Sequence, residues 1–409
     1  MNFILVGSLV VSKLFYLSIF AIGDFNFTLS DVCLIAFLAR ITLRFFTAKD
    51  IRDTYDSYIY DYLRRMLIFV SGAFILNVAT TVAAGAMPLA SILHFFKRWM
   101  SMIVIPFYFC SCVKNKEKIV WICMAVMMFY ALMNYQSIIS ANAERYYAEG
   151  EFNPNILGAL FGLIMVYVIN SEYGTSVKIV VSLVSVFMIF ACSTRGAVLA
   201  VGASIIIYRF LSSKDGDVVA AVRKVLFIGV PLVLGVFLAA RFIPTATERI
   251  FASFSGGITQ TVSFTSRMDS AKKTIAALIY NPRLALFGTG FGTRNQALVL
   301  ARHGYQITTS DNMYIDMLCW VGAVGIPFVF FYLRDLFMLS RDVDKLGYNS
   351  ALAITIYMLC LGFTQSAIFE PTIGAIYYIL LSFDMVRAMD KEEAERSLSD
   401  ETEAGDESA

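Results

Sequence analysis

Long apolar runs, separated by shorter polar ones, fill most of this chain. They cover approximately residues 3–22, 28–47, 66–87, 93–113, 119–139, 154–171, 177–193, 197–211, 223–241, 312–333, 350–367 and 371–387. A helix of about 20 apolar residues crosses a bilayer. The pattern therefore predicts an all-α integral membrane protein with about twelve transmembrane helices. Nine lie in residues 1–241 and three in 311–388, with one long connection over 242–310 and a polar tail over 389–409.

The polar connections sort into two sets by their basic residues. One set carries Arg40, Arg44, Lys49, Arg52, Arg64 and Arg65, then Lys114, Lys116 and Lys118, then Lys178, then Arg209, Lys214, Arg223 and Lys224, then Arg334, Arg341 and Lys345. The short alternate loops are nearly free of lysine and arginine. The positive-inside rule places the basic set, and both termini, in the cytoplasm. Residues 242–310 then form a large loop on the outer, periplasmic face. Long translocated loops escape the charge rule, so the arginines of this one need another reason. The acidic tail is expected to be disordered and cytoplasmic.

Within the loop, "TSRMDSAKKTIAALIYNP" reads as a helix with Ser266 as N-cap, Asp269 three residues later and Pro282 as the stop. Met268, Ala271, Ile275 and Leu278 form its expected apolar face. "LFGTGFGTRN" follows as a glycine-rich turn. It lacks the strand before and the helix placement after that a phosphate-binding loop requires. A tight bend bringing Arg294 back toward the spans is the preferred reading.

Composition agrees with membrane residence. The 409 residues are 58% hydrophobic and 16% charged, where a soluble chain carries about 25% charged residues. A net charge of +2 gives no reason to expect a nucleic-acid partner. The seven cysteines fall in or beside apolar runs, which is buried-thiol usage and not a disulfide framework. With two histidines in the chain, a histidine-rich metal centre is excluded, and neither metal nor cofactor is expected. The first run has neither a basic start nor a cleavage motif, so it reads as a retained span.

Several polar residues stand out against this background. Arg195, in "CSTRGAVLA", sits where one span ends and the next begins. It can snorkel to the headgroups. Alternatively, Gly196, Ala200 and Ala203 let another helix approach closely and hold it as a clamp for phosphate or pyrophosphate. Arg267 at the expected start of the loop helix is either solvated or paired with an anion held by the helix end. Arg249 is a further basic candidate for substrate contact in the loop. Asp311 or Ser310 can cap the helix starting near 312; alternatively Asp311 and Asn312 face an outward cavity, with Asp311 as general base. His303 could take that part. Arg145 and Tyr146, in "SANAERYYAEGEFNP", suit carbohydrate contact or an interfacial belt.

Taken in order, "STRGAVLA", "SRMDSAKKTIAALIYNPRLALFGTGFG" and "SDNMYIDMLCWVGAVGI" resemble motifs of the O-antigen polymerase and ligase superfamily across roughly residues 150 to 335. The resemblance implies a GT-C-like membrane glycosyltransferase. It would act without metal on undecaprenyl-pyrophosphate-linked glycans at the periplasmic face of the bacterial inner membrane. Arg195 and Arg267 would hold the pyrophosphate. Asp311-Asn312 stands where ligases show His-Asn, which favours a polymerase of surface polysaccharide repeat units. A flippase and a chain-length regulator are the implied partners. The alternatives are a ligase, with lipid A-core as acceptor, and a transporter of lipid-linked sugars. A transporter should show related halves and charged or broken helices near mid-bilayer.

Overall fold

A computed structural model describes residues 2–15, 17–22, 25–47, 57–83, 89–113, 121, 124–126, 128–130, 154–212, 233–255, 262–290, 293–307, 312–365 and 367–406. Almost all of this is helix. In chain order the elements are α1 (Asn2–Phe15), an antiparallel hairpin of β1 (Ser18–Ile22) and β2 (Phe25–Thr28), α2 (Leu29–Thr47), α3 (Tyr58–Ala83), α4 (Leu89–Cys112), α5 (Pro154–Asn170), α6 (Thr175–Ala191) and α7 (Arg195–Ser212). There follow α8 (Val233–Phe242), α9 (Pro244–Ser255), α10 (Val262–Tyr280), α11 (Pro282–Phe287), α12 (Thr293–Arg302), α13 (Met313–Lys345), α14 (Asn349–Leu361) and α15 (Pro371–Asp406).

Four helices, α3, α7, α13 and α15, are long and apolar enough to cross a membrane, and α1, α5, α6, α8 and α14 are shorter apolar helices. Large apolar side chains point outward on several of them, such as Ile68 and Ile75 on α3 and Ile206 and Phe210 on α7. A helix that is apolar on its exposed side is built for lipid. The spans expected over 119–139 and 223–241 fall largely outside the described residues.

Helix α15 is the hub. It packs on α4, α5 and α14, and α14 in turn packs on α5, α7 and α13. Tyr332, Tyr357, Tyr377 and Tyr378 are fully buried here, and each hydroxyl is bonded: Tyr357 to the Ala159 carbonyl at 2.8 Å, Tyr377 to Thr355 Oγ1 at 2.8 Å, and Tyr332 to Tyr378. Buried hydroxyls without such partners would oppose folding.

Helices α3 and α13 run antiparallel. Arg65 Nε lies 2.9 Å from Asp335 and Tyr62 donates to Asp342 at 2.8 Å, so the start of α3 meets the end of α13. This end, which also carries Arg64, Arg341 and Lys345, is called the basic end. The opposite end carries α10, α11 and α12 and is called the loop end.

Three expectations need correction. The first apolar run is not one span: its helix stops at Phe15 and residues from Ser18 on enter the hairpin. Apolar content alone cannot tell a strand from a helix in a run this short. The tail is not without structure, since α15 continues to Asp406. Its Glu, Ala, Lys and Arg residues are strong helix formers, and they extend a helix already nucleated by packing. The loop helix begins at Val262, so Ser266 is inside it and is not its cap.

Candidate functional site at the loop end

Three residues, Cys192 to Thr194, separate the end of α6 from the start of α7. Ser193 N–H donates to Phe190 O at 2.8 Å and Thr194 N–H to Ile189 O at 3.2 Å, which closes a Schellman-type helix end. Ser193 occupies the left-handed position, φ 50°, where glycine is usual. Thr194 directly precedes α7, and its Oγ1 donates to Pro154 O at 3.1 Å, fixing the turn to the start of α5. Arg195 is therefore the first residue of α7 and is half-buried. The small-residue face behaves as expected: Gly196 lies against Thr364, Ala197 and Ala200 are buried, and α7 packs closely on α14.

The start of α13 comes to the same end. Asn312 is its cap, with Oδ1 accepting the N–H groups of Tyr314 and Ile315, both at 3.1 Å. Its Nδ2 donates to Phe363 O at 3.2 Å, and Met313 N–H donates to Gly362 O at 2.7 Å. Asn312 thus ties α13 to the turn that also faces Gly196. The capping role foreseen for Asp311 or Ser310 belongs to Asn312. Asp311 itself, Arg145 and Tyr146 lie outside the described residues.

Charged side chains inside apolar helices form a band at this end. Lys13 on α1 is buried. Lys97 on α4 is 11% exposed, and its Nζ donates to Asp31 Oδ2 at 2.7 Å and Thr28 Oγ1 at 3.1 Å. Thr28 and Asp31 are bound to each other as well, Thr28 N–H donating to Oδ2 at 2.7 Å, which caps α2. Asp31 Oδ1 is buried without a hydrogen-bond partner among the described residues. Next along the band, Arg98 feels the carboxylates of Glu370 and Asp316. Glu370 caps α15, accepting from Thr372 N–H at 2.7 Å and Ile373 N–H at 2.6 Å. Burial pushes the Glu370 carboxyl above its ordinary value, against the pull of those N–H groups and of Lys13 and Arg98.

Three cations, Lys13, Lys97 and Arg98, thus face three carboxylates, Asp31, Asp316 and Glu370, and Arg195 adds a fourth cation at the same end. Buried charges persist only when matched in this way. Sequence reading singled out Arg195 and Asn312 but passed over Lys13, Asp31, Lys97, Arg98 and Glu370. The signal was there: Lys97-Arg98 is a pair of fixed charges inside an apolar run.

The loop helices dock on α13. Residue Gly322 breaks α13 with φ 61° and ψ −176°, which releases carbonyls just before it. The glycine-rich turn fills them: Thr289 N–H donates to Cys319 O at 2.8 Å and Gly290 N–H to Trp320 O at 3.1 Å. The turn is thus the expected tight bend. A Cβ on Gly322 would lie 2.5 Å from Gly288 N and Leu286 O, so only glycine fits. Ala277, Leu278, Leu284, Val299, Leu300 and Cys319 make a small second core. The buried face of α10 is Ser270, Ala271, Thr274, Ala277 and Leu278; Met268 and Ile275, expected inside, are exposed.

Arg267 is the sixth residue of α10 and half-buried, so the first-turn N–H groups are not beside it. Its pairing with an anion at the helix start does not hold. Arg249 and Arg294 have their backbones in α9 and α12. His303 is exposed, with Asn281 Nδ2 3.1 Å from its Nδ1. It lines a different cavity from the charged band, together with Arg283 and Arg302. Among the described residues no group of three His, Cys, Asp or Glu side chains is placed to hold a metal ion.

Comparison with protein-family models finds no match, and comparison with curated proteins finds no significant one. The chain is a helical protein with apolar helices suited to a membrane.

Proposed function

We propose that this chain polymerises oligosaccharide units linked to undecaprenyl pyrophosphate, at the loop end of the bundle facing the periplasm. The observation that supports this reading is that Arg195, at the head of α7, and Arg98, near Glu370 and Asp316, both lie at the end that bears α10 to α12. Such a reaction needs charge neutralised on a departing diphosphate more than it needs an acid. Guanidinium groups on rigid helix ends supply that.

In the proposed step a hydroxyl of the acceptor sugar attacks the anomeric carbon of the donor from the face opposite the diphosphate. The new C–O bond forms as the bond to the diphosphate oxygen breaks, inverting the centre. The hydroxyl proton passes to a carboxylate, for which Asp311, next to the Asn312 cap, is the first candidate. The electron pair leaves with the diphosphate, beside Arg195.

A lipopolysaccharide gel of a deletion strain tests the class. Core bearing a single repeat supports polymerase. Bare core with accumulated polymer on lipid indicates a ligase, and repeat units retained in the cytoplasmic leaflet indicate a flippase. Complementation with Arg195→Ala should leave the single-repeat pattern although the protein inserts normally; full ladders contradict the clamp.

A further inference from the structure

Away from the charged band, α3, α11 and α12 enclose a cavity of about 420 Å³. Its wall is apolar on the α3 side, through Leu76 and Ala79, and on the loop side through Leu284, Phe287 and Val299. Arg283, Arg302 and His303 line it as well. A small apolar chamber with three basic groups on one side has the character of an amphiphile site.

The histidine is oriented. Asn281 Oδ1 accepts Leu284 N–H at 3.3 Å, so its Nδ2 is the atom turned to His303 Nδ1 at 3.1 Å. Asn281 Nδ2 is also 3.5 Å from His303 Nε2, so the amide holds the ring in place against the start of α11. An imidazole carries at least one N–H donor in either neutral tautomer. Thr80, also in the lining, has its hydroxyl engaged by Leu76 O at 2.8 Å. The polar chemistry of the cavity is thus that of donors, which selects an anion.

The same walls say that the anion carries a hydrocarbon chain. On α3 the residues flanking the cavity, Ile75 and Val82, are 68% and 60% exposed. On the loop side Leu286 and Ile279 are exposed too. A free inorganic anion has no use for that surface.

We propose that this cavity binds the phosphate head of an anionic membrane lipid, with Arg283, Arg302 and the His303 ring on the phosphate and the lipid chain along Leu76, Ala79 and Phe287. The inference stands apart from glycosyl transfer, because it rests on a different set of residues and needs no turnover.

The test is retention of lipid by the purified full chain in nanodiscs of mixed phosphatidylglycerol and phosphatidylcholine, read by native mass spectrometry. Wild type should retain phosphatidylglycerol over phosphatidylcholine. Arg283→Ala with Arg302→Ala should weaken that retention by about tenfold, as expected for two lost charge-assisted contacts. Arg283→Lys with Arg302→Lys should keep most of it. Equal retention by wild type and the double alanine variant overturns the proposal. So does loss in the lysine variant at an unchanged melting temperature. Displacement of the lipid by an equal concentration of inorganic phosphate would assign the cavity to the free anion instead and also overturn it.

Discussion

The two ends of the bundle hold their cations differently. At the basic end the cations sit on exposed side chains; Arg64 pairs with Asp61 and Lys345 with Asp342 within one helical turn, and Arg65 reaches across to buried Asp335. Longer links, such as Tyr208 to Asp344 at 3.1 Å and Ser57 to Glu392 at 3.1 Å, join helices there. At the loop end the charges lie inside apolar helices, and the pairs cross from one helix to another, as Lys97 does to Asp31. Exposed pairs contribute little and cost little. Buried ones are expensive to desolvate and are poor sources of stability. The ends differ in the cation: Lys97 at the loop end is 11% exposed, whereas Arg65, paired with buried Asp335 at the basic end, is 47% exposed.

That contrast can be broken by substitution, and the largest effect belongs to the band. Arg98→Ala removes the cation beside Glu370 and Asp316 and should destabilise the protein by about 3–5 kcal/mol, the usual result of leaving buried carboxylates unmatched. Unfolding in detergent measures it; a loss like that of a surface arginine would show the band to be solvated. Gly322→Ala comes next. Its Cβ meets the backbone of Leu286 and Gly288, so the loop helices must shift at a cost of about 2–3 kcal/mol. Protease nicking within residues 262–307 should rise, and an unchanged digestion pattern would contradict the docking.

The third effect depends on pH. The protonated form of Glu370 is favoured in the folded chain because its pKa is raised. Its contribution to stability is present below the ordinary carboxylate pKa and is lost as pH climbs through the raised value. Glu370→Gln should flatten that stretch of the stability curve; an unaltered pH profile would mean Glu370 does not titrate there. Arg64→Ala at the basic end should be the smallest, within about 0.5 kcal/mol of wild type. If it matched Arg98→Ala, the two ends would not differ.

Much of the helical frame is legible in the sequence, because hydropathy and helix-stop signals agree. The α6–α7 hairpin, with Arg195 at the head of α7, falls where the run is interrupted, and Asn312 stands at the start of α13. The hairpin over 18–28 was hidden because its apolar residues continue those of α1. The kink at Gly322 was hidden because it is set by the partner it accepts, the turn at Gly288 and Gly290. The charged band was hidden for a related reason: Lys13, Asp31, Lys97 and Glu370 lie far apart in sequence, and each alone is a minor interruption of an apolar run. Only packing of α1, α2, α4 and the turn before α15 makes them one feature.

The account turns on the loop end facing away from the cytoplasm while the basic end faces into it. Labelling of single cysteines in intact cells with a membrane-impermeant maleimide tests this directly, using Tyr280→Cys, at a side chain 78% exposed on α10, and Arg64→Cys, at one 58% exposed on α3. The account predicts that the cysteine at 280 labels at once and the one at 64 only after the inner membrane is opened. Labelling at 64 with protection at 280 would contradict it.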